Sequence, residues 1–253
     1  MKIVICGKGG SGKSTIVALM AHEYARQNKN VLVVDTDESN MGLHSILGND
    51  SPADLMKYFG GKPAITEKIM AAMPDPSKVK IFENTWTFED LPKEYVSYKN
   101  GIRLIAIGKI HDFGEGCACP MGILANQFLE NLSLGEDDIV ITDTEAGIEH
   151  FGRGIDRHAD FILLVLDPSN ESIRLAEKIS GMTKDLEIPL YFILNKTDPE
   201  ISSIIKEQIV DPSLLIGEIP GDDEILKRGL RGVEMDIRNP YIEKITESLS
   251  SGI

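Results

Sequence analysis

The stretch KIVICGKGGSGKST at residues 2–15 restricts what this chain can fold into more than any other. Residues 3–6 form an apolar run with the length of a buried strand, and residues 7–14 then satisfy every fixed position of GxxxxGK[ST]. Four glycines, Gly7, Gly9, Gly10 and Gly12, permit a tight loop whose backbone N–H groups converge on phosphate oxygens. Gly9, Gly10, Ser11, Gly12 and Thr15 would border those phosphates, Lys13 would reach the outer ones, and Ser14 would set its hydroxyl on Mg2+. A helix over residues 14–28 points its positive end at the same place. Strand, loop and helix in this order imply a nucleoside triphosphate site rather than a ligand-free glycine-rich turn.

Beyond the loop, apolar runs alternate with helix-like segments, the pattern of a parallel sheet covered on both faces. Strands are expected at 2–6, 31–35, 103–107, 138–143, 161–167, 190–195 and 214–217, and helices at 14–28, 120–132, 171–184, 200–208, 222–230 and 240–249. The expected fold is therefore an α/β P-loop NTPase with a mostly parallel central sheet of about seven strands. At 253 residues the chain is expected to be one ATPase domain, 1–253. Residues 50–100 break the rhythm: they are polar, rich in Pro and Lys, and hold the single tryptophan, Trp86. They read as an insertion of small helices that serves as a lid or partner surface.

The net charge is −14, from 40 acidic against 26 basic residues. That balance opposes nonspecific nucleic-acid binding and docking on anionic membranes. The final segment NPYIEKITESLSSGI lacks the basic amphipathic character of a membrane anchor. Neither a signal peptide nor a bilayer-length apolar run is recognisable, so the expected compartment is the cytoplasm.

Carboxylates stand at the ends of the apolar runs, where open α/β sheets gather their functional groups. The run at 31–35 ends in Asp35 and continues to Asp37; that at 138–143 ends in Asp143, the position that holds Mg2+ through water. Capping of the following helix is the alternative for Asp35 and Asp37, but an acidic pair directly after a buried strand behind a phosphate loop favours a role in orienting water beside Mg2+ and triphosphate. The run at 190–195 leads into NKTD, Asn195 to Asp198, which has the form of a guanine-reading motif and leaves GTP open as the nucleotide. Cys117 and Cys119 form a CxC pair in GEGCACPMG; residues i and i+2 of an extended segment face the same way, so both sulfurs can meet one ion. Two thiolates do not close a four-coordinate site, but a twofold dimer supplies four. Two ordinary reduced cysteines are the simpler reading of CxC alone. Cys6 reads as a small buried apolar residue.

The loop GKGGSGK, with Lys8 ahead of Lys13, resembles the deviant Walker A loop of the MinD, ParA and nitrogenase-iron-protein group of ATPases. This resemblance implies that Lys8 crosses a homodimer interface to nucleotide on the partner subunit. It aligns Asp37 with the residue that positions the attacking water, and puts Asp35 near the Mg2+ hydration shell. DTEAGIEH resembles the group's second switch, in which Gly147 approaches the gamma-phosphate; Glu149 and His150 are left between a partner contact and a link to the metal region, a structural role for His150 being favoured over metal ligation. Asn195 would meet adenine, which favours ATP, with Lys196 beside it and Pro220 on the other side of the base.

GKGGSGKST, DTD, GCAC before a helix, DTEAGIEH and NK after a strand together resemble the CooC-type ATPases, nickel-insertion accessories of carbon monoxide dehydrogenase. That resemblance covers most of the chain and departs from it in residues 50–100 and at Asp198. It implies an ATP-hydrolysing metallochaperone that dimerises with ATP, binds Ni2+ (or Zn2+, which thiolates also suit) through Cys117 and Cys119, and delivers it to carbon monoxide dehydrogenase or a related client. Two other readings stand beside it. One is an ATP-dependent electron donor like the nitrogenase iron protein, with an intersubunit iron–sulfur cluster. The other is a positioning ATPase like MinD or ParA, against which the acidic charge counts.

Overall fold

A computed structural model describes residues 1–75, 78–110, 119–148, 154–184 and 188–253. The strands are β1 (Lys2–Gly7), β2 (Asn30–Asp35), β3 (Ser97–Lys99), β4 (Ile102–Ala106), β5 (Asp138–Asp143), β6 (Phe161–Leu166), β7 (Leu190–Thr197) and β8 (Leu215–Pro220). They form one sheet in the order β3-β4-β2-β5-β1-β6-β7-β8. All neighbours run parallel except β3 and β4. The sheet thus has eight strands where the sequence suggests about seven. The extra one, β3, is a three-residue edge strand with Tyr98 and Lys99 exposed, too short and too polar to carry an apolar alternation.

The helices are α1 (Lys13–Arg26), α2 (Leu43–Leu47), α3 (Gly61–Ala72), α4 (Cys119–Glu130), α5 (Asn170–Thr183), α6 (Pro199–Gln208), α7 (Asp223–Arg231) and α8 (Pro240–Ser250). Alternate strand residues point to opposite faces. Ile3, Ile5, Val31, Val33, Ile139 and Ile141 pack beneath α1 and α8 in one core. On the other face, Leu32, Val34, Ile105 and Val140 join α4 and residues 79–91, while Cys6, Leu164 and Phe192 join α5 and α6. Cys6 is fully buried, as its place in an apolar strand suggests.

Within 50–100 the structure holds α3, short 3-10 turns and an aromatic group. Trp86 stacks on Phe59 at 5.9 Å and meets Phe82 edge-on at 4.9 Å and Phe128 of α4 at 6.4 Å. The Trp86 backbone closes the contact, donating to Asn131 O and accepting from Ser133 N, both at 2.8 Å. Residues 86 and 132 form an isolated parallel bridge there. Among the described residues no helix is long and apolar enough to cross a membrane.

Candidate nucleotide site

The topology brings the chemistry to one edge. β1 lies between β5 and β6, so the chain leaves the sheet's centre at Gly7 where its neighbours end too. The register pairs Ile5 with Asp143 and Asp35 with Asp143, which sets both carboxylates beside the loop that follows β1. This is the crevice outside the carboxyl ends of parallel strands, where open α/β sheets bind ligands.

The loop turns into α1 through Gly12, whose φ of 101° caps the helix. A side chain there is excluded twice over: the φ is left-handed, and a Cβ would sit 2.3 Å from Asn195 Nδ2. The loop is braced from β7. Asn195 donates its amide to Ser11 O at 2.8 Å, and the Lys196 ammonium reaches Gly10 O at 2.6 Å. The Gly147 N–H bonds Gly7 O at 3.2 Å and so holds the second switch against the same loop. Lys13 is buried, with its ammonium on Lys8 O at 3.2 Å.

Ser14 donates to Asp143 Oδ2 at 2.6 Å. Asn40 completes this junction, its amide donating to Ser14 Oγ at 2.9 Å and to Asp143 Oδ2 at 3.2 Å. Asp143 is wholly buried, and among the described residues its Oδ1 has no hydrogen-bond partner. Burial pushes its carboxyl up to about 6, against the pull of the Ser14 hydroxyl and Lys13. Asp35 is pushed to about 7, also by burial, with Lys109 acting in the opposite direction. A hard divalent cation suits this set: two oxygen donors in contact, a buried carboxylate oxygen without a partner, and a charge whose desolvation is uncompensated. Ser14 and Asp143 would hold Mg2+. Asp35, expected near the Mg2+ hydration shell, is ion-paired to Lys109 at 2.6 Å.

Asp37 lies one turn further on, its Oδ1 accepting from Ser39 N at 2.9 Å and Ser39 Oγ at 2.6 Å. Lys8 is paired within its own chain, 2.9 Å from Asp167 Oδ2 and 4.0 Å from Glu171 Oε2. Its bond to Asp167 raises its pKa. Burial pushes Asp167 up, but bonds from Ser169, Ser172 and Lys8 outweigh this and hold it below the usual carboxylate range.

A cavity of about 510 Å³ opens from Gly12 and Thr15 past Asn195, Lys196 and Pro220 to Leu226 and Leu230. Its largely apolar walls and its contact with the loop at Gly12 and Thr15 suit a purine base. Asp198 does not line it. Its carboxylate caps α6, accepting from Ile201 N at 2.9 Å, and borders a separate cavity with Ser202, Lys206 and Tyr241.

Residues 2–235 match the family described as the CobQ/CobB/MinD/ParA nucleotide binding domain. The chain belongs to that family. An uncharacterized ATP-binding protein of Methanocaldococcus jannaschii is 48% identical over 250 residues, 99% of this chain and 100% of its own. The carbon monoxide dehydrogenase accessory protein CooC of Rhodospirillum rubrum is 30% identical over 240 residues, 89% of this chain and 85% of that protein. Among solved structures, the septum site-determining protein MinD with Mg-ADP from Pyrococcus horikoshii superposes with a TM-score of 0.68, covering 98% of this chain and 95% of that one at 18% identity. At that identity the likeness speaks to the fold alone.

Cys117, Glu149 and His150 lie outside the described residues. Cys119 opens α4, exposed and disulfide-bonded rather than a free thiol. Among the described residues no group of three or more His, Cys, Asp or Glu is arranged to hold a metal ion. Asn40 and Lys109 are site residues that sequence reasoning missed. Neither belongs to a motif, and each acquires its place only through contacts across the fold.

Proposed function

We propose that this protein is an ATP-hydrolysing metallochaperone, acting as a homodimer in the cytoplasm, with 1–253 as one ATPase domain and 50–100 as its insertion. The observation that carries the ATPase half is the Ser14–Asn40–Asp143 junction, whose buried Asp143 oxygen lacks a partner beside a phosphate-binding loop. ATP would lay its phosphates on the backbone N–H groups of residues 9–15 and the positive end of α1. Lys13 would exchange Lys8 O for the outer phosphates. Mg2+, held by Ser14 and Asp143, would supply charge neutralisation for the triphosphate. Asp37 would orient the attacking water, and products are ADP and phosphate. Gly147 would exchange its bond to Gly7 for the gamma-phosphate, which makes the second switch sensitive to hydrolysis. Lys8 would leave Asp167 for nucleotide on the partner subunit.

The metal half rests on the CxC pair and on the similarity to the CooC protein. Cys119 is disulfide-bonded and cannot ligate as a thiolate in that state, so the CxC pair would take Ni2+ or Zn2+ only with Cys119 reduced. The substrate ion would then be handed to a nickel enzyme such as carbon monoxide dehydrogenase.

The test is an anaerobic Ni2+ and Zn2+ titration of reduced wild type and Cys117→Ser/Cys119→Ser, with mass in solution read with and without ATP. One ion per dimer, absent in the variant while ATP binding persists, is the expected result. Equal metal binding by both proteins refutes the CxC assignment and leaves a nucleotide-binding protein with another task.

A further inference from the structure

We propose that Lys109 is the positioning residue of the first switch, the turn at 35–40, and that it fixes the Asn40 amide at the Ser14–Asp143 junction. The inference rests on the ATPase reading of that junction. Beyond the ends of β2 and β4 the two chains stay zipped together. Ile107 N donates to Asp35 O at 3.0 Å and Ile110 N to Glu38 O at 3.1 Å. Lys109 stands between these two bonds and turns its side chain inward, leaving it 9% exposed.

A lysine ammonium has three donors and no acceptor. Lys109 spends all three on this one turn: Asp35 Oδ2, Asp37 O and Asn40 O, each at 2.6 Å. These acceptors sit at the start, middle and end of the segment, so one group fixes its whole path. The Asn40 carbonyl is thereby pinned. Its own Oδ1 accepts from Gly42 N at 2.9 Å, which sets the amide plane. The remaining freedom of the side chain is used at Ser14 Oγ and Asp143 Oδ2.

An ordinary structural ion pair would need only Asp35. The two backbone carbonyls are what distinguish Lys109, because they transmit position rather than charge. Arginine keeps the charge but spreads its donors over a planar fork, so it cannot reproduce three bonds from one point. The bonds of Lys109 go to Asp35 and to the Asp37 and Asn40 carbonyls rather than to the phosphate loop, and it acts on the reaction through Asn40 and Asp37.

Two variants test this, Lys109→Met, close in length and uncharged, and Lys109→Arg. Amide hydrogen exchange over residues 36–42 of the nucleotide-free protein is expected to quicken at least tenfold in both. ATP affinity without Mg2+, which reports the loop at 7–15, should stay within about threefold. Misplacing a positioned group costs on the order of 10²-fold in rate; kcat is expected to fall by about that factor in both variants, with KM little changed. Lys109→Arg with wild-type exchange and wild-type kcat would overturn the proposal and reduce Lys109 to a charge partner for Asp35. Wild-type kcat in Lys109→Met would overturn it as well. Exchange is read without nucleotide, so it decides the role of Lys109 separately from the ATPase reading, which fails on its own if wild type turns over no ATP.

Discussion

Removing the Asp198 carboxylate separates two readings of NKTD by orders of magnitude. If Asp198 read guanine, it would accept two N–H bonds to a charged group, each worth about 1.5–3 kcal/mol. Their loss in Asp198→Ala would cost about 3–6 kcal/mol, or roughly 10²- to 10⁴-fold in GTP affinity. The structure assigns the group elsewhere. Asp198 is exposed, caps α6 through Ile201 N at 2.9 Å, and is absent from the wall of the base cavity. Loss of such a cap costs about 1 kcal/mol. In a chain of this size that lowers Tm by about 2–4 °C. We therefore expect Asp198→Ala to leave the ratio of ATP to GTP affinity within about threefold of wild type while melting slightly earlier. Asp198→Asn, an equally good cap, should restore Tm. The assay is displacement of a fluorescent nucleotide by ATP and by GTP, with thermal melting of the same samples. A fall of more than tenfold in GTP affinity alone would refute the reasoning and reinstate the guanine motif.

Gly12→Ala should weaken nucleotide binding at least tenfold by calorimetry, since the left-handed backbone costs about 1–2 kcal/mol and the new methyl meets Asn195 Nδ2; unchanged affinity would show that the Asn195 brace is dispensable. Burial holds His22 below the ordinary 6.5, so the unfolded chain binds its proton first and stability is lost as pH falls below about 6.5. His22→Gln should accordingly show a shallower loss of Tm than wild type between pH 7 and pH 5. Asp35 and Asp143 act in the opposite sense, destabilising as pH rises from the carboxylate range towards 6–7, but they do so in both proteins and drop out of the comparison.

What could be read from the sequence is whatever depends on neighbours in the chain. The phosphate loop needs consecutive glycines and a lysine, and the apolar runs announce buried strands, so the fold class and the carboxylates at the strand ends follow directly. Even the role of Asp198 is written locally: Asp-Pro-Glu-Ile is an N-cap followed by proline in the first turn, a stronger local signal than four letters of a guanine motif. Asn40 and Lys109 were not legible. Lys109 meets Asp35 from 74 residues away, and Asn40 meets Asp143 from 103. Both contacts depend on β2 lying between β4 and β5, a strand order that no local pattern encodes. The stretch 79–91 looked like a polar excursion because its buried residues, Val79, Ile81, Phe82, Phe88 and Leu91, are spaced irregularly; they pack as an aromatic and aliphatic cluster on α4 rather than as one face of a regular element.

The internal pairing of the site bears on how tightly it holds a nucleotide. Asn195 and Lys196 brace the loop through carbonyl oxygens, which phosphates do not seek, so these bonds can persist with ligand bound. Lys8, Lys13 and the Gly147 N–H are different, because each donor that the ATPase reading sends to phosphate already has an acceptor in the chain. Binding therefore exchanges one charged or polar bond for another, and the affinity reflects the difference between the two sets rather than the sum of the new contacts. The three exchanges are not equal. Lys13 and Gly147 release backbone carbonyls, neutral acceptors that phosphate surpasses. Lys8 releases a carboxylate that Ser169 and Ser172 hold ionised at 2.6 and 2.5 Å. Asp167 is thus the strongest competitor in the site, and it competes for the one lysine whose proposed target lies on the other subunit. On the proposed dimeric reading, such an arrangement would favour nucleotide capture before subunit pairing, since the groups proposed for the chain's own nucleotide are released more cheaply than the lysine proposed for its partner's.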